Sequence, residues 1–412
     1  MFNLLRMAWR NVGRNRRRSI LSGLAVAFAV AILVFSMALQ QGSYADMISA
    51  TVHVRTGNLQ IQHRDYWPKM NLSRRVVRPG ELLAAADSLP GVEGCAPRIQ
   101  AGALASTETR TFGAIILGIE PTRERTVSTL SALVREGAYL APEDRDGALV
   151  GLTLARNLGA GLGDDIVVIG QGADGSLAAA KWKIRGLLKT GTTELDRSMI
   201  VAHIDAVGEA YSLYGAVSEI AILLERDSAR PSVTVALEEK LHELKRDEAA
   251  ILPWTTLMPG VEESIKLDWY SGQIIYLVLV LVVGFGIANA FLMAYLERIH
   301  EFGVLLSLGM KPRRVGLLVY AESVLLTLSG VVGGLVVGSL VVLYLHRTGI
   351  DFGEASQEIM AEYGMSSIIH PMLNTLVVSR STLIVLSVAL LLAVYPAVRA
   401  SRLEPVEALR HR

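Results

Sequence analysis

The sequence predicts an α-helical membrane protein with four transmembrane helices and a large α+β domain between the first and second helices. Of its 412 residues, 51% are apolar and only 19% are charged, against about 25% charged residues in an ordinary soluble domain. Four apolar segments each approach or exceed the roughly 20 residues that cross a bilayer core. The long span between the first two instead carries short strand-like runs separated by turn signals, which predicts a folded domain.

The predicted transmembrane helices are residues 19–41, 271–296, 315–345 and 381–398. The first segment is longer than the apolar core of a signal peptide, and no small-residue cleavage site follows it, so we interpret it as a retained helix. The third contains one charge, Glu322, about two helical turns beyond Arg314. An intramembrane acid serves either a proton relay or a structural pairing, and this position favours pairing with a basic side chain near the headgroups.

Basic residues cluster before the first helix, between the second and third, and after the fourth, whereas acidic residues dominate the loop between the third and fourth. Because cytoplasmic loops carry the excess of Lys and Arg, we expect residues 1–18, 297–314 and 399–412 in the cytoplasm. Residues 42–270 and 346–380 are then outside the cytoplasm, and both termini are cytoplasmic.

Residues 1–18 are amphipathic. One face carries Phe2, Leu5, Trp9 and Val12, and the other carries Arg6, Arg10, Arg14 and Arg17. This separation favours a helix that lies in the membrane interface. A basic flank without regular structure is the alternative.

Residues 42–270 are predicted to form an α+β domain of two lobes outside the cytoplasm. The expected strands are residues 59–62, 111–119, 166–169, 181–187, 199–203 and 219–224, and the expected helices are 80–88 and 232–245.

The chain contains no phosphate-binding loop, no H-E-x-x-H and no G-x-S-x-G motif, so an enzyme is the weakest interpretation. The glycines of 159–163 fit no nucleotide fingerprint and predict a turn. The histidines are scattered, and His53, His63 and Asp65 do not make a convincing metal site. The single cysteine, Cys95, excludes an internal disulfide and is expected to be a small buried hydrophobe.

Residues 297–314, which we call the coupling segment, contain a short amphipathic helix that Gly309 and Pro312 end. Phe302, Leu305 and Leu306 share one face. Such a helix can dock in a groove on a soluble partner, or it can lie along its own bundle, and physical reasoning leaves both open.

The coupling segment resembles that of the MacB/FtsX/LolC-LolE group of ABC permeases, whose consensus is roughly R-x-x-E-I-G-I-L-R-A-L-G. Arg298, Glu301, Gly303, Leu305, Leu308 and Gly309 match it, and Phe302 replaces the usual isoleucine. Residues 396–410 resemble the closing P-A-x-x-A-A-R-L-D-P-V-E-A-L-R of this group, and Ala8-Trp9-Arg10-Asn11 is similar to its opening. Pro97-Arg98-Ile99 matches as well, so the resemblance covers essentially the whole chain.

The resemblance implies a type VII ABC transporter permease of the bacterial inner membrane, with a MacB-like periplasmic domain. It implies mechanotransmission, in which two separate ATPase chains bind ATP and Mg, hydrolyse the ATP and move the periplasmic domain. This chain would then hold no cofactor and no metal and would pair with a second permease, either another copy or a paralogue. The matched residues of the coupling segment, together with Phe302, would contact the ATPase.

Small residues mark close helix packing. Gly330, Gly334 and Gly338 of the third helix are expected to pack within the bundle. Gly284 and Ala288 of the second are the candidates for a dimer contact that the resemblance suggests. Together with Gly23, Ala27 and Ala31 of the first helix, they either leave room for acyl chains of a cargo or serve packing alone.

The run Thr56-Gly57-Asn58-Leu59-Gln60-Ile61 is similar to the T-G-H-L-Q-I of lipoprotein-releasing LolC/LolE-type permeases. That similarity implies a lipoprotein cargo and a periplasmic acceptor. Extracting an acyl anchor costs about 0.8 kcal/mol per buried CH₂, so release requires ATP. The alternatives are a MacB-like efflux permease, although MacB carries its ATPase in the same chain, and an FtsX-like regulator of cell-wall hydrolases, which has a more compact domain.

Overall fold

The structure, a computed structural model, describes residues 6–11, 16–351, 353 and 368–404. Two compact units make up the chain. The first, which we call the membrane unit, comprises Met1–Tyr44, Ile265–Asp351 and Ile368–Arg412. The second, which we call the inserted domain, is Ala45–Ser264.

Four helices of the described residues are long and apolar enough to cross a membrane. They are Arg16–Thr51, Pro259–Leu296, Pro312–Thr348 and Thr375–Ser401, here the first to fourth membrane helices. The predicted four-helix architecture is therefore confirmed. Every helix is longer than its predicted apolar span, because hydropathy marks only the lipid-facing part, whereas backbone hydrogen bonding continues to a helix-ending signal.

Those signals are visible at three ends. Pro259 begins the second membrane helix twelve residues before the predicted start at 271, at a position where proline loses no hydrogen bond. The third ends at Thr348, because the next residue, Gly349, has a φ of +71° and so interrupts the helical hydrogen bonds. The fourth begins after Asn374, whose side-chain oxygen accepts a hydrogen bond from the Val377 amide at 2.8 Å.

The third membrane helix lies directly against the first. A Cβ built on Gly334 would lie 2.4 Å from the carbonyl oxygen of Ala27, and one on Gly330 would lie 2.7 Å from that of Gly23. A Cβ on Gly338 would lie 3.0 Å from the Cα of Ala31. The predicted packing of these glycines within the bundle is confirmed, because no other residue allows the backbones to approach so closely.

Parts of the predicted termini and of loop 346–380 lie outside the described residues. These parts include Phe2, Leu5, Val12, Arg14, Glu354, Glu358 and residues 405–412. Residues 6–11 are helical, and Trp9 is 70% exposed on that helix. Within the loop, Ile350–Asp351 pairs with Ile368–Ile369 as a two-stranded antiparallel ladder.

Ten strands form the sheet of the inserted domain. They are β1 (Leu59–His63), β2 (Val92–Ser106), β3 (Thr111–Ile119), β4 (Val134–Gly137), β5 (Gly147–Gly151), β6 (Asp165–Gln171), β7 (Leu177–Leu188), β8 (Met199–His203), β9 (Glu219–Leu224) and β10 (Ala249–Pro253). The helices are α1 (Pro79–Asp87), α2 (Pro121–Val127), α3 (Leu152–Leu158), α4 (Thr193–Ser198), α5 (Ile204–Ala210), α6 (Arg230–Glu243) and α7 (Trp254–Leu257). All six predicted strands and both predicted helices are present, with small shifts at their ends.

The pairings divide this sheet into a ring, a flank and β4, which pairs with β7 outside the ring. Strands β2, β3, β8, β5, β7 and β6 pair in that order, and β6 returns to β2, which closes the ring. The flank runs from β2 through β9 and β1 to β10. The two lobes expected from the sequence are thus not separate sheets, because β2 is long enough, at 15 residues, to belong to both parts. Cys95 lies on β2 and is buried, as predicted.

Candidate functional site

The coupling segment begins directly after the second membrane helix. Its helix, Ile299–Ser307, which we call the coupling helix, follows a two-residue turn at Glu297 and Arg298. Gly309 has a φ of +90°, which a glycine adopts without strain, and the chain then enters the third membrane helix at Pro312. The predicted short helix and its end are therefore present.

One face of the coupling helix is buried within the membrane unit. Phe302 is 1% exposed and stacks on Tyr295, with the ring centroids 6.2 Å apart and the planes at 19°. Ile299 and Leu306 pack in the same cluster with Val315 of the third membrane helix. Phe302 therefore packs within the chain, and its predicted contact with the ATPase stays a prediction. The apolar stripe at spacing i, i+3, i+7 turns toward the chain's own bundle, because burial there removes it from water.

Arg298 joins this face to the third membrane helix. Its Nε donates to Oε2 of Glu301 at 2.8 Å, and its Nη1 donates to Oε2 of Glu322. Asn11 supplies the other partner, since its Nδ2 donates to Oε1 of Glu322 at 2.7 Å. Burial lowers the pKa of Arg298, but the two carboxylates raise it more, so its pKa lies above the ordinary value and the side chain stays charged. The predicted pairing of Glu322 with a basic side chain is confirmed.

The opposite face of the coupling helix is open. His300, Val304 and Leu308 follow one another at four-residue spacing, and all three are exposed, Leu308 by 79%. Beyond Gly309, the basic residues Lys311, Arg313 and Arg314 are exposed as well. We call His300, Val304, Ser307 and Leu308 the open face. It combines apolar contact area with neighbouring positive charge, which suits a protein partner.

The seven predicted coupling residues therefore divide into three groups. Leu308 and Gly309 are exposed, Glu301 and Leu305 are partly buried, and Arg298, Phe302 and Gly303 are buried. Comparison with the family motif selected all seven, six as matches and Phe302 as a replacement, but the motif does not distinguish exposed side chains from buried ones. His300 and Val304, which the sequence analysis missed, could have been found as the i−8 and i−4 neighbours of Leu308.

The small residues of the membrane helices have partners within the chain. Gly23, Ala27 and Ala31 pack on the third helix, and a Cβ built on Gly284 would touch Val388 at 3.5 Å on the fourth. Gly284 is buried at this contact and Ala288 is partly buried, and their place at a dimer contact stays a prediction. Gly23 and Ala27 also line a groove of about 400 Å³ between the first and third helices. Packing of these residues therefore leaves open the predicted room for an acyl chain.

The residues of the run 56–61 are buried in the inserted domain. Gln60 donates through Nε2 to the Thr56 carbonyl at 3.0 Å and to Oε1 of Glu219 at 3.2 Å. Asn58 accepts a hydrogen bond from the Leu224 amide at 2.9 Å. The motif that suggested a lipoprotein cargo thus connects strands within the domain and presents no side chain to a ligand.

Among the residues that the structure describes, no three His, Cys, Asp or Glu side chains converge as a possible metal site. Two of the residues that the sequence analysis grouped have local partners. His53 approaches the carbonyl of Ser49 at 3.0 Å, and His63 accepts from the Asp65 amide at 3.1 Å.

The chain has four membrane helices, a large domain inserted after the first, and a short helix with one open face between the second and third. This arrangement is that of a multi-pass permease. Two family models match the chain. The model "MacB-like periplasmic core domain" matches residues 19–240, and "FtsX-like permease C-terminal" matches residues 273–405. The chain belongs to the family with the MacB-like periplasmic core domain, and it is an ABC transporter permease of the LolC/MacB/FtsX type in the bacterial inner membrane.

Similar curated proteins include two kinds of transporter. The chain is 25% identical to the lipoprotein-releasing system transmembrane protein LolC of Neisseria meningitidis serogroup B, covering 95% of this chain and 93% of LolC. It is 21% identical to the macrolide export ATP-binding/permease protein MacB of Bdellovibrio bacteriovorus, covering 100% of this chain and 62% of MacB. The crystal structure of the periplasmic region of MacB from Actinobacillus actinomycetemcomitans aligns with 50% of this chain and 92% of its own, at 13% identity and a TM-score of 0.35.

Proposed function

We propose that this chain is the permease subunit of a lipoprotein-releasing ABC transporter. A separate ATPase hydrolyses ATP, the membrane unit passes the resulting movement to the inserted domain, and a lipid-anchored protein leaves the inner membrane for a periplasmic acceptor. The observation that carries the proposal is end-to-end similarity to a LolC protein of nearly the same length. Burial in lipid stabilises an acyl chain by about 0.8 kcal/mol per CH₂, which sums to roughly 10 kcal/mol or more per chain. Release against this free energy requires ATP.

The open face of the coupling helix is the proposed ATPase contact. Leu308 and Val304 offer apolar side chains to a groove on the partner, and Lys311, Arg313 and Arg314 offer charges to its rim. The buried face supports this role from behind. Since Phe302 and Arg298 fix the coupling helix to the second and third membrane helices, a push on Leu308 moves the bundle and does not merely bend a loop.

A MacB-like efflux permease is the second candidate, because MacB proteins match the whole chain. The chain matches 62% of the length of that MacB protein and 93% of the length of the LolC protein. An FtsX-like regulator of cell-wall hydrolases is a third candidate, and the match of residues 273–405 supports it only for the C-terminal half.

The test is a release assay with purified components. The chain is purified in mild detergent with the ATPase that accompanies it and reconstituted into proteoliposomes. The vesicles also hold one protein in two forms, triacylated and without its acylated cysteine. We expect ATP-dependent release of the acylated form into a soluble acceptor fraction.

Two results would contradict the proposal. Equal handling of the acylated and unacylated forms would show that the anchor is not recognised. Transport of a soluble small molecule without lipoprotein release would favour the efflux candidate. An ATPase variant that binds ATP without hydrolysing it serves as the control for passive loss of the lipoprotein from the vesicles.

A further inference from the structure

The first membrane helix does not enter the inserted domain as a regular α-helix. The five residues that follow it, Val52–Thr56, form a π-helix, and the Gly57 amide closes this turn by donating to the carbonyl of Val52 at 2.8 Å. A π-helical turn interrupts the α-helical hydrogen-bond ladder and is a common place for a helix to bend. Movement of the helix would therefore be absorbed at this turn unless other contacts hold it.

Arg98 on β2 makes the contact that holds this turn. Its Nε and Nη2 donate to the two carboxylate oxygens of Glu124, at 3.1 and 2.6 Å, and both side chains are fully buried. The remaining nitrogen, Nη1, donates to the carbonyl oxygen of Arg55 in the π-helix at 2.5 Å. A guanidinium has a rigid planar fork of donors, so Glu124 fixes the direction in which Nη1 points.

Three further contacts fix the same turn. The Thr129 amide donates to the carbonyl of His53 at 3.0 Å. The Asn58 amide donates to the carbonyl of Ile222 at 2.8 Å. Gly57, with a φ of +71°, passes so close to that carbonyl that a Cβ would lie 2.7 Å from its oxygen. We call Val52–Gly57 together with Arg98 and Glu124 the exit joint.

The buried charge pair is not explained by stability alone. Removing two ions from water costs about as much as their attraction returns, and well-packed apolar residues in their place are often equally stable. What an apolar pair cannot supply is a directed donor to a backbone carbonyl. The arrangement therefore points to a role for Arg98 in fixing the π-helix against β2.

From this geometry we infer that Arg98 is a positioning residue for energy coupling. It transmits displacement of the first membrane helix to β2, the strand shared by the ring and the flank, and Glu124 holds it in the transmitting orientation. The inference rests on the proposed ATP-driven movement of the inserted domain. It states that the movement of the inserted domain depends on the side chain of Arg98.

The test uses the reconstituted complex of the full chain with its ATPase and the double variant Arg98→Met/Glu124→Leu. Amide exchange measured by mass spectrometry first reports on the joint itself. Losing the Arg55 contact should accelerate exchange at residues 52–57 by about tenfold, whereas β3 and β8 should keep their exchange rates because the apolar pair preserves the core.

The second readout compares nucleotide-free complex with complex trapped by vanadate. In the wild type, trapping should change exchange in β2 and β9 by at least about threefold. In the double variant this response should be lost while ATPase activity persists. Arg145→Gln/Asp205→Asn removes an exposed pair of the same domain, whose atoms lie 2.6 Å apart, and should leave both readouts unchanged.

Each outcome decides the inference. Unchanged exchange at residues 52–57, or a full trapping response in the double variant, would overturn it. So would a wild type in which trapping never reaches β2. A trapping response that depends on Arg98 in a complex that releases no lipoprotein would support the joint and contradict only the proposed cargo.

Discussion

Arg298, at the start of the coupling helix, forms a buried ion pair with Glu322, one-third of the way along the third membrane helix. Both side chains are more than nine-tenths buried, and Asn11 contacts the same carboxylate. The pair thus joins three separate parts of the membrane unit. Its position explains why an acid is tolerated in an otherwise apolar segment, since a charge away from water requires a partner.

Glu322→Gln should destabilise the membrane unit. The substitution leaves Arg298 buried with only Glu301 as an anionic partner, so we expect a loss of about 2 to 3 kcal/mol, which is at or below the usual cost of breaking a buried pair. The thermal unfolding midpoint in nanodiscs measures it. Arg298→Met/Glu322→Leu removes both charges and should recover most of that loss. A Glu322→Gln variant as stable as the wild type would contradict a structural role.

The two faces of the coupling helix predict opposite defects. Leu308→Asp places a charge on the open face, so the permease should fold normally but lose ATPase binding by about tenfold or more. Phe302→Asp places the charge in the stack with Tyr295, so the permease itself should be destabilised by roughly 3 kcal/mol or more. Co-purification of the ATPase and permease melting, measured on both variants, separate them. Normal ATPase binding by folded Leu308→Asp would exclude the open face as the contact.

Substitution of two glycines on different membrane helices should have unequal effects. Gly334→Ala forces a methyl group to within 2.4 Å of the Ala27 carbonyl, so the first and third helices must separate. Gly286→Ala meets no atom within 4 Å and serves as the matched control. We expect Gly334→Ala to reduce the yield of folded protein and its melting temperature, by about 2 kcal/mol or more of stability, and Gly286→Ala to leave both unchanged. Equal melting of the two variants would argue against the observed packing.

The inserted domain should lose stability as the pH rises. Burial raises the pKa of Glu219 to about 7, Arg98 opposes the shift and Glu124 adds to it. Because the unfolded chain releases this proton near pH 4.5 and the folded one near pH 7, the folded state binds more protons between these values. The contribution of Glu219 to stability is therefore fully present below pH 4.5 and should fall by on the order of 3 kcal/mol by pH 7.

Glu219→Gln isolates that effect. It keeps an oxygen to accept from Gln60 but cannot ionise, so the variant should be more stable than the wild type at pH 7.5 and nearly equal to it at pH 4.5. Chemical unfolding of the purified chain at the two pH values measures the difference. A constant difference between variant and wild type across this range would disprove the linkage.

The orientation of the chain can be tested with single cysteines in a Cys95→Ala background. Ser176 lies in the inserted domain and Ser307 on the open face, and both are exposed. An impermeant thiol reagent added to intact cells whose outer membrane has been permeabilised should label position 176 and spare position 307. Labelling of position 307 under these conditions would reverse the proposed topology.

The sequence was informative where a local pattern determined the structure. Apolar length located the membrane helices, and β-branched runs such as 199–203 located strands. It failed at β2, because Gly94, Pro97 and Gly102 signal breaks in a strand that is instead maintained by hydrogen bonds to β3, β6 and β9. The burial of Phe302 within the chain could not be predicted from the sequence either, because the apolar face of a short helix can pack on its own bundle or on a partner.

The backbone contact of Gly334 with Ala27 also determines which helices can part. At Gly330, Gly334 and Gly338 the third helix places no side chain between the two backbones, so separating the helices there opens a void. The first and second helices are joined differently: Gln40 and Tyr44 donate to the Asp268 carboxylate at 3.0 and 2.7 Å, bonds that water can replace. We therefore expect the outer ends of the first and second helices to separate more readily than the first and third helices.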